Sequence, residues 1–103
     1  MKSLTARQKK FLQSLANSIK PTISVGKNGM TDNTFLSVRN AFNTHELLKI
    51  KILDNCPDDP ADISARISGE SGSVFVGKTG HTLLFFRPDK KHPKIILPVS
   101  DVE

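Results

Sequence analysis

The feature that most constrains the fold is a glycine loop between a short apolar run and a segment with helical periodicity. The loop reads Gly26-Lys27-Asn28-Gly29, and the apolar run before it is residues 22–25. After the loop, apolar residues recur at helical spacing, at Phe35, Val38 and Phe42. Glycine allows backbone conformations and close approaches that other residues do not. The pattern therefore predicts a strand, a tight loop and the start of a helix.

A loop of this kind can hold an anion. The free N–H groups at the start of a helix attract negative charge, usually phosphate, and Lys27 adds a mobile positive charge. Asn-Gly is also a common hairpin dipeptide, but the helical spacing downstream argues against a hairpin. We therefore predict that Gly26, Lys27, Asn28 and Gly29 contact nucleic-acid backbone.

The rest of the pattern predicts one domain over residues 1–103, with the order α-β-α-β-α-β-β. The first helix has a capping box starting at Thr5 and should end near Lys20, before Pro21. The second is capped by Thr31 and should end near His45, and the third is capped by Asp59. The predicted strands are residues 22–25, 47–53, 73–76 and 82–86, with a turn around residues 77–80 before the fourth and a candidate last strand at residues 94–99.

This order predicts an α/β fold of the α+β sandwich type, with a mixed four-stranded sheet packed against helices. The unit over residues 22–53 should be a right-handed parallel crossover. Its glycine loop then lies outside the carboxyl end of the first strand, where ligands usually bind in such sheets. The strand containing Leu83-Leu84-Phe85-Phe86 is apolar on both faces and should be central.

The charge distribution favours a polyanionic partner over a merely solvated basic surface. The net charge is +5, and residues 1–51 carry nine basic residues against two acidic ones. Lys49 and Lys51 share one face of a strand, where they line a positive groove or only aid solubility. Lys9 and Lys10 on the first helix are further candidates. Arg87 binds phosphate or pairs with a carboxylate such as Glu46.

Several classes of protein are disfavoured. The single cysteine fits a reducing compartment, no apolar stretch reaches the roughly 20 residues of a membrane span, and the first residues do not read as a signal peptide. We therefore expect a cytoplasmic protein. No histidine or cysteine has metal-ligand spacing, and Asp58, Asp59 and Asp62 read as caps and first-turn charges. No cofactor and no catalytic residue is expected.

One string matches a phosphate-binding loop literally, at residues 72–79, which read Gly-Ser-Val-Phe-Val-Gly-Lys-Thr. Its Ser-Val-Phe-Val portion is a strand sequence, whereas such a loop must curl its N–H groups around the ligand. Gly80 and another strand follow Thr79, where a helix should begin. A nucleotide-hydrolysing role is therefore disfavoured, and the protein is not expected to be an enzyme.

The chain resembles the YhbY-like CRM domain family over nearly its whole length. The resemblance rests on Leu4-Thr5, Ile19-Lys20-Pro21, Val25 to Thr31, His45 to Ile50, Gly77-Lys78 and Phe86-Arg87-Pro88. It implies a compact RNA-binding domain that folds like the C-terminal domain of translation initiation factor three. It also implies association with precursors of the large ribosomal subunit, through rRNA and ribosomal proteins. We expect a monomer. The family's Gly-x-x-Gly loop falls on Gly26 to Gly29, and its motif includes Arg87.

The sequence departs from the family at three places. Phe86 stands where the family usually has Tyr, Asn17 replaces a common His, and residues 77–87 are a few residues longer than usual. The alternative function is a ribosome-associated adaptor that makes mainly protein contacts, recruited by the acidic residues 54–62. The aromatic residues Phe35, Phe42, Phe85 and Phe86 read as core, so binding by base stacking is not expected.

Overall fold

The computed structural model describes residues 4–98, which form three helices and a four-stranded sheet. The helices are Ala6–Ala16 (α1), Asp32–Phe42 (α2) and Pro60–Ser71 (α3). The strands are Ile23–Val25 (β1), Leu47–Ile52 (β2), Val74–Thr79 (β3) and Thr82–Phe86 (β4). The order α-β-α-β-α-β-β and the α+β fold class are as predicted.

Each helix begins at its predicted cap. The Thr5 hydroxyl accepts from the N–H of Gln8 at 3.1 Å, and the Gln8 side chain accepts from the N–H of Thr5 at 3.0 Å, which completes the capping box. Thr31 caps α2 by accepting from the N–H of Thr34 at 3.2 Å. Asp59 caps α3, whose first residue is proline. Local side-chain chemistry therefore determines where all three helices begin.

The first two helices end earlier than predicted. α1 stops at Ala16 instead of continuing to Lys20, because the N–H groups of residues 17–19 bond to carbonyls three residues back, in turns tighter than an α-helix. α2 stops at Phe42 and not near His45, since Asn43 and Thr44 make the same kind of bond. Asn, Ser and Thr near both ends favour such turns over helix.

The strands lie in the order β1-β2-β4-β3. β1 pairs with β2 in parallel, and β4 pairs antiparallel with both β2 and β3. The sheet is therefore mixed, and β4 is central with Leu83 to Phe86 all buried, as predicted. The parallel pairing places the glycine loop at the carboxyl end of β1, and β2 ends at the same edge of the sheet.

The last hairpin is longer than predicted. β3 continues through Lys78 to Thr79, so the turn lies at Gly80 and His81 and not around residues 77–80. A shift of register between Phe75 and Gly77 leaves one extra residue in β3, after which pairing with β4 resumes. Gly80 has a φ of 59°, which suits glycine at the turn.

The predicted strand at residues 94–99 is wrong over the part that the structure describes, since residues 94–98 are irregular. The N–H groups of Lys94 and Ile95 donate to the carboxylate of Glu46, at 2.9 and 2.7 Å. These donors are therefore not available to a strand ladder. Pro93 and Pro98 have no N–H to offer. Val99 lies outside the described residues.

The core has two parts, one on each face of the sheet. On one face, α2 and α3 cover β1, β2 and β4, with Phe35, Phe42 and Phe85 buried. On the other face, α1 packs through Leu12 and Ala16 against β2, β3 and β4. The alternation of β2 sends Leu48, Ile50 and Ile52 to the α2 side and leaves its lysines on the α1 side.

Candidate nucleic-acid interface

The predicted glycine loop is a tight, exposed turn between β1 and α2. The N–H of Gly29 donates to the carbonyl of Gly26 at 2.9 Å, and Gly29 has a φ of 63°. This left-handed conformation is costly for residues with a Cβ. Lys27 and Asn28 are exposed at the tip of the turn. The loop therefore presents one cation and one amide to solvent on a fixed backbone.

The anion at the start of α2 is a carboxylate of the chain itself. The N–H of Met30 donates to Oδ2 of Asp58 at 2.9 Å. A Cβ at Gly29 would collide with the same carboxylate. Asp58 comes from the segment before α3, and the sequence interpretation of it as a cap or first-turn charge is wrong. Asp58 directly precedes Asp59, the actual N-cap of α3. This position outside the helix was the sequence signal that its carboxylate could have a partner elsewhere in the chain.

This contact changes what the loop can bind. The backbone N–H of Met30 is already paired, and Asp32 adds a second carboxylate in the first turn of α2. A phosphate placed against the axis of α2 would meet both negative charges. The tip of the loop, at Lys27 and Asn28, is the part that suits a phosphate. Asp58 and Gly29 act by holding that tip in place.

A polar row crosses the sheet beside the loop, on the α1 side. Ser24 of β1 pairs with Lys51 of β2, Lys51 with Thr82 of β4, and Thr82 with Thr79 of β3. Paired residues share a face of the sheet, and Lys51 is exposed. Lys51 therefore lies at the same edge as the glycine loop. The sequence predicted Lys51 but not its hydroxyl neighbours, which only the strand register brings together.

Lys49 lies on the same face but is half-buried. Its Nζ donates to the carbonyl of Ile19 at 2.9 Å, in the connection between α1 and β1. It also lines a cavity of about 130 Å³ together with Gln13 of α1 and Asn17, the C-cap of that helix. Part of the role of Lys49 is therefore to hold the chain after α1 against the sheet. Its charge remains at the border of the polar row.

Lys9 and Lys10 are exposed on α1. The buried residues of this helix are Leu12 and Ala16. Ala16 lines the cavity beside Lys49, which places the end of α1 nearer the glycine loop. The two lysines lie earlier in the helix and therefore farther from the loop.

Arg87 lies at the opposite end of the sheet. Leu47, the first residue of β2, pairs with Phe86, whereas the glycine loop adjoins the last residue of β2. The six residues of β2 separate the two places by about 17 Å. The Arg87 guanidinium lies 5.8 Å from the centroid of the Phe42 ring. Within residues 4–98 it makes no ion pair with Glu46, so that predicted alternative is wrong.

The structure explains the sequence string that matches a nucleotide-binding loop and the positions of the phenylalanines. Residues 74–79 of the nucleotide-loop string form β3, and the element that follows them is the strand β4 and not a helix. Phe35, Phe42, Phe85 and Phe86 are buried, as predicted.

Among the described residues, no cluster of histidine, cysteine or carboxylate side chains could hold a metal ion. Over the same range, no helix has the length and apolarity to cross a membrane.

Similar proteins are named for RNA binding. The chain is 35% identical to "Probable RNA-binding protein YqeI" of Bacillus subtilis, covering 92% of this chain and 99% of that protein. It is also 35% identical to an RNA-binding protein of Haemophilus influenzae, covering 95% and 98%. A 30% match to "CRS2-associated factor 1, mitochondrial" of Arabidopsis thaliana covers 92% of this chain and 25% of that protein.

A solved structure and a family model agree with these relatives. The solution structure of the hypothetical protein SAV1595 from Staphylococcus aureus superposes with a TM-score of 0.77 at 31% identity, covering 93% of this chain and all of that one. The model of the CRS1 / YhbY (CRM) domain matches residues 4–87, from the residue before the α1 cap to Arg87. This chain belongs to the CRS1/YhbY (CRM) domain family.

Proposed function

We propose that this protein binds structured RNA through the edge of the sheet that carries the glycine loop. The exposed pair Lys27 and Asn28, on a backbone fixed by Gly29 and Asp58, is the observation that carries the proposal. Lysine and amide side chains at such a tip suit phosphate and sugar oxygens. The relatives named as RNA-binding proteins support RNA as the polyanion.

The polar row extends this interface across the sheet. Lys51 and its hydroxyl neighbours Ser24 and Thr82 offer further donors to a sugar-phosphate backbone. Lys49 contributes charge at the border, and Lys9 with Lys10 extends the positive surface along α1. The four phenylalanines named above are buried, and Phe75, which is 36% exposed, packs its ring against that of Phe85 at 5.6 Å between centroids. Recognition through backbone and shape therefore fits this surface better than stacking of splayed bases.

The proposed target is rRNA in precursors of the large ribosomal subunit, in the cytoplasm, where the protein acts in assembly without catalysis. Family membership supports this target. The domain, over residues 1–103, acts as one unit and as a monomer, with ribosomal proteins as neighbours. In this role the protein needs no cofactor, because every contact proposed is a hydrogen bond or a charge contact from its own side chains.

The test is RNA binding by the double variant Lys27→Ala with Asn28→Ala. We expect it to bind a fragment of large-subunit rRNA at least about tenfold more weakly than the parent, a loss of ~1.4 kcal/mol. The matched control is Arg39→Ala with Asn40→Ala, which likewise removes one cation and one asparagine, from exposed positions of α2. The control should bind like the parent, and both variants should keep the parent's thermal midpoint.

Equal affinity of the loop variant and the parent, at the same salt concentration, would overturn the proposed role of the loop. Retained association with ribosomal particles despite absent binding to naked rRNA would favour the protein-contact adaptor. Crosslinking in cells, followed by identification of the attached RNA positions, would then locate the target.

A further inference from the structure

We propose a second phosphate-binding surface at the opposite end of the sheet from the glycine loop. It consists of the basic loop, defined here as residues 87–94, which follows β4. This inference rests on the proposed RNA-binding function, since it adds a second contact for the same RNA. It assigns a role to Lys90 and Lys91, which the sequence pattern did not single out.

The basic loop is anchored by a buried carboxylate. Glu46 is only 6% exposed. Its Oε2 accepts from the N–H of Asp89 at 2.7 Å, and its Oε1 accepts from the N–H groups of Lys94 and Ile95 at 2.9 and 2.7 Å. The N–H of Arg87 donates to the backbone carbonyl of Glu46 at 2.8 Å. Both ends of the loop are thus fixed to the start of β2.

A second carboxylate fixes the inside of the loop. Oδ1 of Asp89 accepts from the N–H of Lys91 at 2.9 Å and from the N–H of His92 at 3.1 Å. Both carboxylates near the loop are therefore bonded to its backbone. Within residues 4–98, the side chains of Lys90 and Lys91 make no ion pair, and both are exposed.

The cations surround an open depression. Its volume is about 780 Å³, and its lining includes three cations, Arg87, Lys90 and Lys91, and one carboxylate, Asp89, whose Oδ1 is already paired with the loop backbone. The Arg87 guanidinium is held over the Phe42 ring, at 5.8 Å from its centroid. Residues 87–94 carry four lysine or arginine residues and one carboxylate. A positive concave surface of this kind attracts phosphate.

The position of the depression favours an extended RNA as the occupant. It lies about 17 Å from the glycine loop along β2, so one phosphate cannot reach both places. A structured RNA with a phosphate every few ångströms can contact both ends together. Arginine over an aromatic ring beside exposed lysines also matches the residue types that contact nucleic-acid backbone.

The test compares Lys90→Ala with Lys91→Ala against the charge-retaining control Lys90→Arg with Lys91→Arg. The probe is a labelled hairpin from large-subunit rRNA, titrated at several salt concentrations. We expect the alanine variant to lose several-fold in affinity and to lower the salt slope by about two, while the arginine control keeps both. Combined with Lys27→Ala and Asn28→Ala, the losses should be additive, because the two sites are far apart.

The outcomes separate this inference from the proposed function. If the alanine variant keeps the parent's affinity and salt slope while the glycine-loop variant binds RNA more weakly, only the second surface is overturned. A weakened alanine variant with an unaffected glycine-loop variant would support the second surface and overturn the role of the glycine loop. Unchanged RNA binding with lost binding to polyglutamate would overturn an RNA occupant in favour of an acidic protein.

Discussion

At the scale of the residue, the most informative side chain is Asp58, which sequence reasoning interpreted wrongly. Its carboxylate satisfies the N–H of Met30, a residue only 8% exposed, and takes the space beside Gly29. A buried donor without a partner is costly. The glycine loop therefore depends on a contact 28 residues away in the chain, and the sequence pattern around the loop does not identify that partner.

Asp58→Ala should loosen the glycine loop. Removing the acceptor leaves the N–H of Met30 unpaired, so we expect the free energy of unfolding to fall by roughly 1–3 kcal/mol. Hydrogen exchange at Met30 should become faster. Asp58→Asn is the matched control, because its amide oxygen still accepts the hydrogen bond. If both variants exchange at Met30 as slowly as the parent, the carboxylate does not hold the loop.

Asp89 provides a prediction on pH. The hydrogen bonds from the N–H groups of His92 and Lys91 lower the pKa of this carboxyl below its ordinary value of 3.8. A lowered pKa means that the ionised form is preferred in the folded state, so the contribution is present above pH 3.8 and lost as pH falls through the folded pKa. We expect the amide signals of Lys91 and His92 to shift together below pH 3.8. In Asp89→Ala, those acid shifts should disappear.

At the scale of the element, the sequence predicted helix starts, strand identity and the central strand correctly. Caps such as Thr31 and Asp59 are local signals, and the alternation of β2 is visible in the sequence. The errors concern features with distant causes. The carboxylate of Glu46 accepts hydrogen bonds from the N–H groups of Lys94 and Ile95, and residues 94–98 do not form the predicted last strand. β3 continues beyond the register shift after Phe75, so the turn lies at Gly80 and His81.

Only part of the candidate site could be predicted from the sequence, again because some of its features depend on contacts between distant residues. The glycine loop is contiguous, so its residues could be found from the sequence. The polar row of Ser24, Lys51 and Thr82 depends on strand register. The separation of Arg87 from the loop depends on the antiparallel pairing of β2 with β4. Neither follows from residue spacing alone.

The packing of α1 gives a prediction on stability. Leu12 is fully buried between this helix and the sheet. Leu12→Ala should lower the free energy of unfolding by about 2–5 kcal/mol, through lost burial and a residual cavity. Leu36→Ala is the control, because Leu36 on α2 is 54% exposed, and it should change stability by less than about 0.5 kcal/mol. Denaturant unfolding measures both, and equal losses would contradict the packing of α1.

From the structure of the β3–β4 hairpin, we predict that the protein does not hydrolyse nucleotides. Lys78 lies in β3 and pairs with Leu83 of β4. The backbone here is extended, whereas a phosphate-binding loop must curve its N–H groups around the phosphate. Purified protein should hydrolyse neither ATP nor GTP above background. Lys78→Ala should behave like the parent in the same assay. Hydrolysis that depends on Lys78 would show that this reading of the hairpin is wrong.

At the scale of the whole molecule, the positive charge is unevenly distributed. Residues 1–51 contain most of it, and residues 52–86 carry five acidic against two basic residues. The fold places Lys51 beside the glycine loop and Lys90 with Lys91 at the far end of the sheet. Affinity for RNA should therefore come mainly from phosphate contacts and released counterions.

The most direct test of this account is a salt titration of RNA binding, for the parent, Lys27→Ala, Lys51→Ala and the control Arg39→Ala. The logarithm of the parent's affinity should fall linearly with the logarithm of salt concentration, with a slope on the order of three to six contacts. Each interface variant should lower that slope by about one for every RNA sequence, and the control should not. A flat salt response, or a loss confined to one sequence, would contradict recognition through the phosphate backbone.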